Sequence, residues 1–179
     1  MTAQPDTARF NADRLIARLA RFADALPTVV SCIDADDASW RPDDSSWSVI
    51  EIVCHLVDEE LEDFRTRTLM TLQQPDADWP PIDPEGWANS REYQSQNLSE
   101  QLERFVQRRR ESIDLLRAID SPDWSRTHTH PKLGDFSAGQ MLACWCAHDA
   151  LHLRQLSKRM VQLVQRDARA CSTEYAGDW

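Results

Sequence analysis

Apolar residues recur at spacings of three and four along four long stretches of this chain, and the ends of those stretches carry residues that start or stop helices. From about Thr7, the residues Leu15, Leu19, Phe22 and Leu26 mark one face of a first helix. Pro27 is expected to end or kink it, with Val29, Val30 and Ile33 adding a further turn. The second helix opens on a capping box, Ser48 with Glu51, and a hydrophobic staple, Trp47 with Ile52. Its apolar positions, Ile52, Val53, Leu56, Val57, Leu61, Phe64 and Leu72, run toward Gln74. A third helix is predicted from about Leu98 to Ile119, with Asn97 and Glu100 as its capping pair, and Ser121 with Pro122 stops it. The fourth runs from Ala138 to about Arg166, with the pairs Ser137/Gln140 and Phe136/Met141 at its start.

The joints between these runs oppose regular structure. "DADDASWRPDDSS" joins the first two helices, and "PDADWPPIDPEGW" between Pro75 and Trp87 holds four prolines, a density that predicts a long loop without helix or central strand. "DWSRTHTHPKLGDF" is a connection with room for short extended pieces. The expected fold is therefore all-α: an antiparallel four-helix bundle with a long Pro-rich loop between helices 2 and 3. The 179 residues fit a single domain, 1–179, with a core over about 7–166 and a tail over 167–179 whose Tyr175 and Trp179 either dock or fray.

A net charge of −10 repels phosphate backbones and anionic lipid, so neither nucleic acid nor membrane is an expected partner. Five cysteines, an odd number without a C-x-x-C pair, do not form a disulfide framework and suit a reducing cytoplasm. The N-terminal stretch lacks the basic head and apolar run of an export signal, and no segment has the ~18 apolar residues of a membrane span.

Within the fourth helix, Met141, Trp145, His148, His152 and Leu156 follow one another at spacings of four, three, four and four, which sets both histidines on the buried stripe. Side chains four apart have Cβ atoms roughly 5–6 Å from one another, close enough for two imidazoles to share an ion. The plainer reading of such a pair is two half-buried, hydrogen-bonded histidines. His55, between Ile52 and Leu56, also faces the interior of the second helix.

The runs "WSVIEIVCHLVDEELEDFRTR" from Trp47 and "GQMLACWCAHDALHLRQL" from Gly139 resemble the DinB/YfiT-like superfamily of bacterial metal-binding bundles. "WRP" at Trp40, "DPEGW" and "HPKLG" at His130 extend the likeness over most of the chain. The resemblance implies that His55, His148 and His152 bind one divalent metal. Zinc or nickel suits imidazole ligands, and manganese or iron is also compatible. Three imidazoles leave a coordination position open, as catalytic rather than structural sites do.

Among neighbouring carboxylates Asp58, Glu59, Glu62 and Asp149, Glu59 is best placed as an acceptor for a ligand imidazole, a direct ligand or a catalytic general base. Its plainer reading is a solvated charge in the acidic run "DEELED". Asp149 lies about 100° around the helix from His148 and serves equally as partner to a neighbouring helix. Cys144 is roughly 9 Å along the axis from an ion held between His148 and His152, too far to join both. Trp145 packs in the core and walls a pocket; His128 and His130 lie in a loop that either covers the site or is solvated. The leading expectation is a metal-dependent enzyme acting on a small molecule, either a transferase or isomerase using a low-molecular-weight thiol, as the resemblance implies for some relatives, or a hydrolase. The alternative is a non-catalytic metal- or ligand-binding stress module. A homodimer fits the resemblance, but no face in the sequence identifies its interface.

Overall fold

A computed structural model describes residues 10–132 and 134–177. Helix α1 spans Ala12–Val30, α2 Val49–Asp58, α3 Thr66–Gln73, α4 Pro84–Ser90, α5 Leu98–Ala118 and α6 Ala138–Ala168. Residues Glu59–Arg65 form a π-helical segment that joins α2 to α3 without a break. There the Thr66 hydroxyl donates to the Leu61 carbonyl, 2.7 Å away and five residues back, the spacing of the π pattern.

The helix starts follow their caps. Asn11 accepts from the Arg14 amide at 2.9 Å and begins α1 at Ala12; the expected start at Thr7 lies outside the described residues. Ser48 with Glu51, and Ser137 with Gln140, form reciprocal capping boxes, while Asn97 accepts from the Glu100 amide. Pro27 does not end α1, and of the residues expected to add a further turn Val29 and Val30 lie within the helix. The helix continues to Val30 because the Pro27 carbonyl still accepts from Ser31 at 2.9 Å, so only the bond its missing N–H would have made is lost. Trp87 also departs from expectation, lying within α4. Pro84 occupies the first turn, where no amide bond is needed, and Asp83 caps it.

The chain is not all-α. Strands β1, Thr127–His130, and β2, Gly134–Ser137, form an antiparallel hairpin in which Thr127 faces Ser137 and His130 faces Gly134. Gly134 has φ +71, a conformation few other residues adopt cheaply.

The bundle's directions are mixed rather than strictly alternating. Both α1 and α2 pack between α5 and α6. Phe22 meets Phe105 while the Leu19 carbonyl accepts from Arg109, so α1 and α5 run opposite ways. Arg159 donates to the Trp47 carbonyl, and Phe64 stacks on Trp145, so α2 and α6 are also antiparallel. Arg108 meets Val57 and Asp58, and Arg65 meets Glu111, which makes α2 and α5 parallel. Connections as long as residues 74–97 let the chain cross the bundle instead of turning back on itself.

Among the described residues a small apolar cluster of Ile50, Cys54, Ala88 and Tyr93 accompanies two large ones. One gathers Phe22, Leu26, Val30, Ile52, Val53, Phe105, Leu156 and Leu163; the other gathers Ile16, Leu19, Phe64, Ile113, Leu116, Met141, Leu142 and Trp145. Between them on α6 lie His148, Asp149 and His152. A buried ion network crosses this layer. Arg109 holds Asp149 at 2.6 and 2.8 Å and Glu60 at 2.8 Å, and the Trp145 indole donates to Glu60 at 3.0 Å. No helix among the described residues is long and apolar enough to cross a membrane. Beyond α6, Thr173 approaches Gln165 while Tyr175 is exposed; Trp179 lies outside the described residues.

Candidate metal centre

Helix α2 brings His55 to the bundle interior at 6% exposure, and α6 presents half-buried His148 and His152 from one face, a turn apart. Their Nε2 atoms converge: His148 lies 3.2 Å from His55 and 3.0 Å from His152. The three ligand atoms are all within 4.8 Å of one another. An imidazole nitrogen carries either one proton or one lone pair, so His148 Nε2 cannot make a well-formed hydrogen bond to both neighbours. Three lone pairs turned toward one cation remove that conflict. Zinc–nitrogen bonds of about 2.0–2.1 Å in a tetrahedron set nitrogens roughly 3.3 Å apart, close to the spacings between His148 and its neighbours.

Metal binding needs neutral rings, and the surroundings supply them. Burial, then the positive charge His152 would carry, holds His55 down at about 3. Burial, then His152, His55 and Arg109, lowers His148 to about 2. His152 is lowered by burial against the opposing pull of Gln155. Gln155 Oε1 accepts from His152 Nδ1 at 2.8 Å, which places that ring's proton on Nδ1 and leaves the Nε2 lone pair facing its neighbours. His55 Nδ1 is buried without a hydrogen-bond partner. Trp47 packs on His55 with ring centroids 4.9 Å apart, and Phe64 on His148 at 4.8 Å, so aromatic rings cover two of the imidazoles.

The carboxylates singled out from sequence go elsewhere. Asp58 accepts from Tyr93 at 2.7 Å and pairs with Arg91 at 2.8 Å; Glu62 takes the same Arg91 through 2.6 and 2.9 Å bonds. Both turn to Arg91, just past α4, and Asp58 also meets Arg108 of α5, because these arginines offer charged partners that the neutral imidazoles do not. Asp149 belongs to the Arg109 network, and Trp145 to the second apolar cluster. His130 takes the Lys132 amide at 3.2 Å and packs on Trp79 with ring centroids 5.7 Å apart. His128 stacks on the same indole at 4.3 Å.

Glu59 is not a solvated charge: it is 4% exposed. Burial first, then the neighbouring Asp63 carboxylate, pushes its carboxyl up to about 8. Nor is it a fourth ligand, since the cluster of potential ligands among the described residues holds the three histidines alone. Cys144 is exposed and stays out of that cluster. Sequence reasoning missed Gln155, although its position three residues after His152 was a usable signal. It also missed the part played by Trp47 and Phe64, which helical periodicity marks only as apolar.

Residues 15–156 match the DinB superfamily, and the chain belongs to it. A protein of Oceanobacillus iheyensis provisionally named a metal-dependent hydrolase is 28% identical over 127 residues, 68% of each chain. The fold matches that of YfiT from Bacillus subtilis, described as a probable metal-dependent hydrolase with an unusual four-helix bundle topology. The TM-score is 0.77 and the identity 17%, over 91% of this chain and 93% of that one.

Proposed function

We propose that this protein is a metal-dependent hydrolase of small molecules that holds one divalent ion at His55, His148 and His152. The observation that carries this reading is the convergence of three uncharged imidazoles with no further protein ligand among the described residues. Such a donor set suits zinc or nickel, with manganese and iron as weaker candidates. A divalent ion bound there supplies Lewis acidity and lowers the pKa of water toward about 7.

The chain's own groups do the rest. Gln155 fixes which nitrogen of His152 faces inward, while Trp47 and Phe64 exclude bulk water and keep the rings neutral. Burial and the neighbouring Asp63 push the Glu59 carboxyl up to about 8, which favours its protonated form and suits it, one turn after His55, to give a proton to a departing amine or alcohol. The names of relatives favour hydrolysis over thiol transfer.

Elemental analysis of purified protein beside a His148→Ala/His152→Ala variant tests the site. The native chain is expected to carry a single equivalent of metal and the variant essentially none; equal content in both refutes the assignment. Turnover without added thiol supports hydrolysis, and turnover only with thiol replaces it with group transfer.

A further inference from the structure

The face of α2 next to His55 borders a cavity that the metal centre does not use. Cys54 and Asp58 line it from α2, about 60–100° around the axis from His55, and none of the described residues in its wall is one of the three histidines. Its volume is 230 Å³, room for several heavy atoms when a water takes ~30 Å³.

Three guanidiniums, those of Arg91, Arg104 and Arg108, line this cavity against two carboxylates, Asp58 and Glu62. Both carboxylates are already engaged. Arg91 holds Glu62 through 2.6 and 2.9 Å bonds and Asp58 at 2.8 Å, and Asp58 also accepts from the Tyr93 hydroxyl at 2.7 Å. Arg108 is left with the Val57 carbonyl at 2.7 Å and a long 3.5 Å reach to Asp58, both through one nitrogen. Arg104, exposed on α5, makes no hydrogen bond or ion pair among the described residues, in a chain with 30 acidic residues against 20 basic ones. A surplus of one positive charge therefore falls on Arg104 and Arg108.

These two stand four residues apart on α5, with Cβ atoms roughly 5–6 Å from one another, and like charges at that spacing destabilise a helix. Burial first, and then Arg104 and Arg65 working against Asp58, hold the Arg108 guanidinium below its ordinary value. An anion between the pair relieves both strains. The rest of the wall is polar and uncharged: Gln101, 7% exposed, donates to Gln96 at 3.2 Å, and Tyr93 lies beside them.

We propose that this cavity binds a small monocarboxylate of about lactate size, its carboxylate between Arg104 and Arg108 and its other polar atoms among Gln96, Gln101 and Tyr93. A single surplus charge matches a monoanion, and the planar fork of a guanidinium matches the two oxygens of a carboxylate. A phosphate dianion would leave one negative charge uncompensated. The site shares α2 with the metal centre but needs no metal, so it stands apart from the hydrolase reading.

The test is titration of nitrogen-15-labelled full-length protein with lactate at fixed ionic strength, following backbone amide signals. It is run on the native chain and on the same protein treated with chelator, which separates lactate in the cavity from lactate on a metal ion. Amides around Gln101 to Arg108 are expected to move saturably in both samples and to stay still with lactamide, which keeps the shape and lacks the charge. Arg104→Gln removes an exposed side chain without a protein partner and is expected to weaken binding about tenfold, the worth of a charge-assisted hydrogen bond. Arg110→Gln makes the same charge change on α5 outside this cavity and should leave the affinity unchanged. A response that disappears with chelator, an equal response to lactamide, tighter binding of inorganic phosphate, or equal weakening by the two variants overturns the proposal. None of these outcomes touches the metal analysis, so the centre and the cavity stand or fall separately.

Discussion

Replacing Arg109 with methionine strikes the most heavily loaded polar group in the protein. Its guanidinium is 1% exposed and serves Glu60, at 0%, and Asp149, at 6%. Three charge-assisted bonds of 2.6 to 2.8 Å would vanish together and strand two carboxylates away from water. Breaking one buried pair by removing a partner costs about 3–5 kcal/mol. Methionine recovers part of this by packing against Phe22, Phe105 and Trp145, whose rings now flank the guanidinium. A net loss of about 4 kcal/mol follows. With a urea m-value of roughly 2 kcal/mol per molar, the unfolding midpoint should fall by about 2 M. The measurement belongs in chelator, because Asp149 adjoins His148 and bound metal would mask the change. Arg109→Met/Glu60→Gln/Asp149→Asn removes the stranded charges and is expected to regain most of the loss. A single variant that loses under about 1 kcal/mol, or a triple no better than the single, refutes the claim that this network is an obligatory charge balance.

Three further outcomes follow from the same structure. Because His55 and His148 titrate far below a free imidazole when folded, neutral rings contribute stability above about 6.5 that is lost as pH falls toward the folded values. Metal-free protein should therefore lose stability between pH 7 and 5, and His148→Gln should flatten that slope; parallel slopes would contradict it. For Glu59 the sign reverses. Its folded value is raised to about 8, so stability present in acid is lost as pH rises toward and through that value. Glu59→Gln should resist unfolding better than the native chain at alkaline pH, and chemical denaturation at several pH values decides it. Ser137→Ala removes the side-chain cap of α6 and should cost about 1 kcal/mol, seen as faster amide exchange confined to the first turn with metal content unchanged.

Much of the fold was legible because helix ends are local. Ser48 with Glu51 and Ser137 with Gln140 announced α2 and α6 through side chains that bond backbone amides three residues away, a geometry independent of distant parts of the chain. Pro27 and Pro84 show the limit of the same reasoning. Proline's cost is also local, but packing can override it at Pro27, and at the first turn of α4 there is no cost to override. The hairpin at Thr127–Ser137 left only a weak trace, because strands of four residues are too short for periodicity to speak.

Alternation of apolar and polar residues, with the spacing of His148 and His152, determined by itself that two imidazoles share the inner face of one helix. That is a property of 3.6 residues per turn. Only the tertiary structure decided that His55 meets them, since its level against α6 depends on long connections and on which helices run parallel. Tertiary contacts also assigned the carboxylates. Asp58, Glu62 and Asp149 turn toward arginines of other elements, and Glu59 is left buried with Asp63, because a charge settles with the partner that best replaces water, wherever in the chain that partner lies.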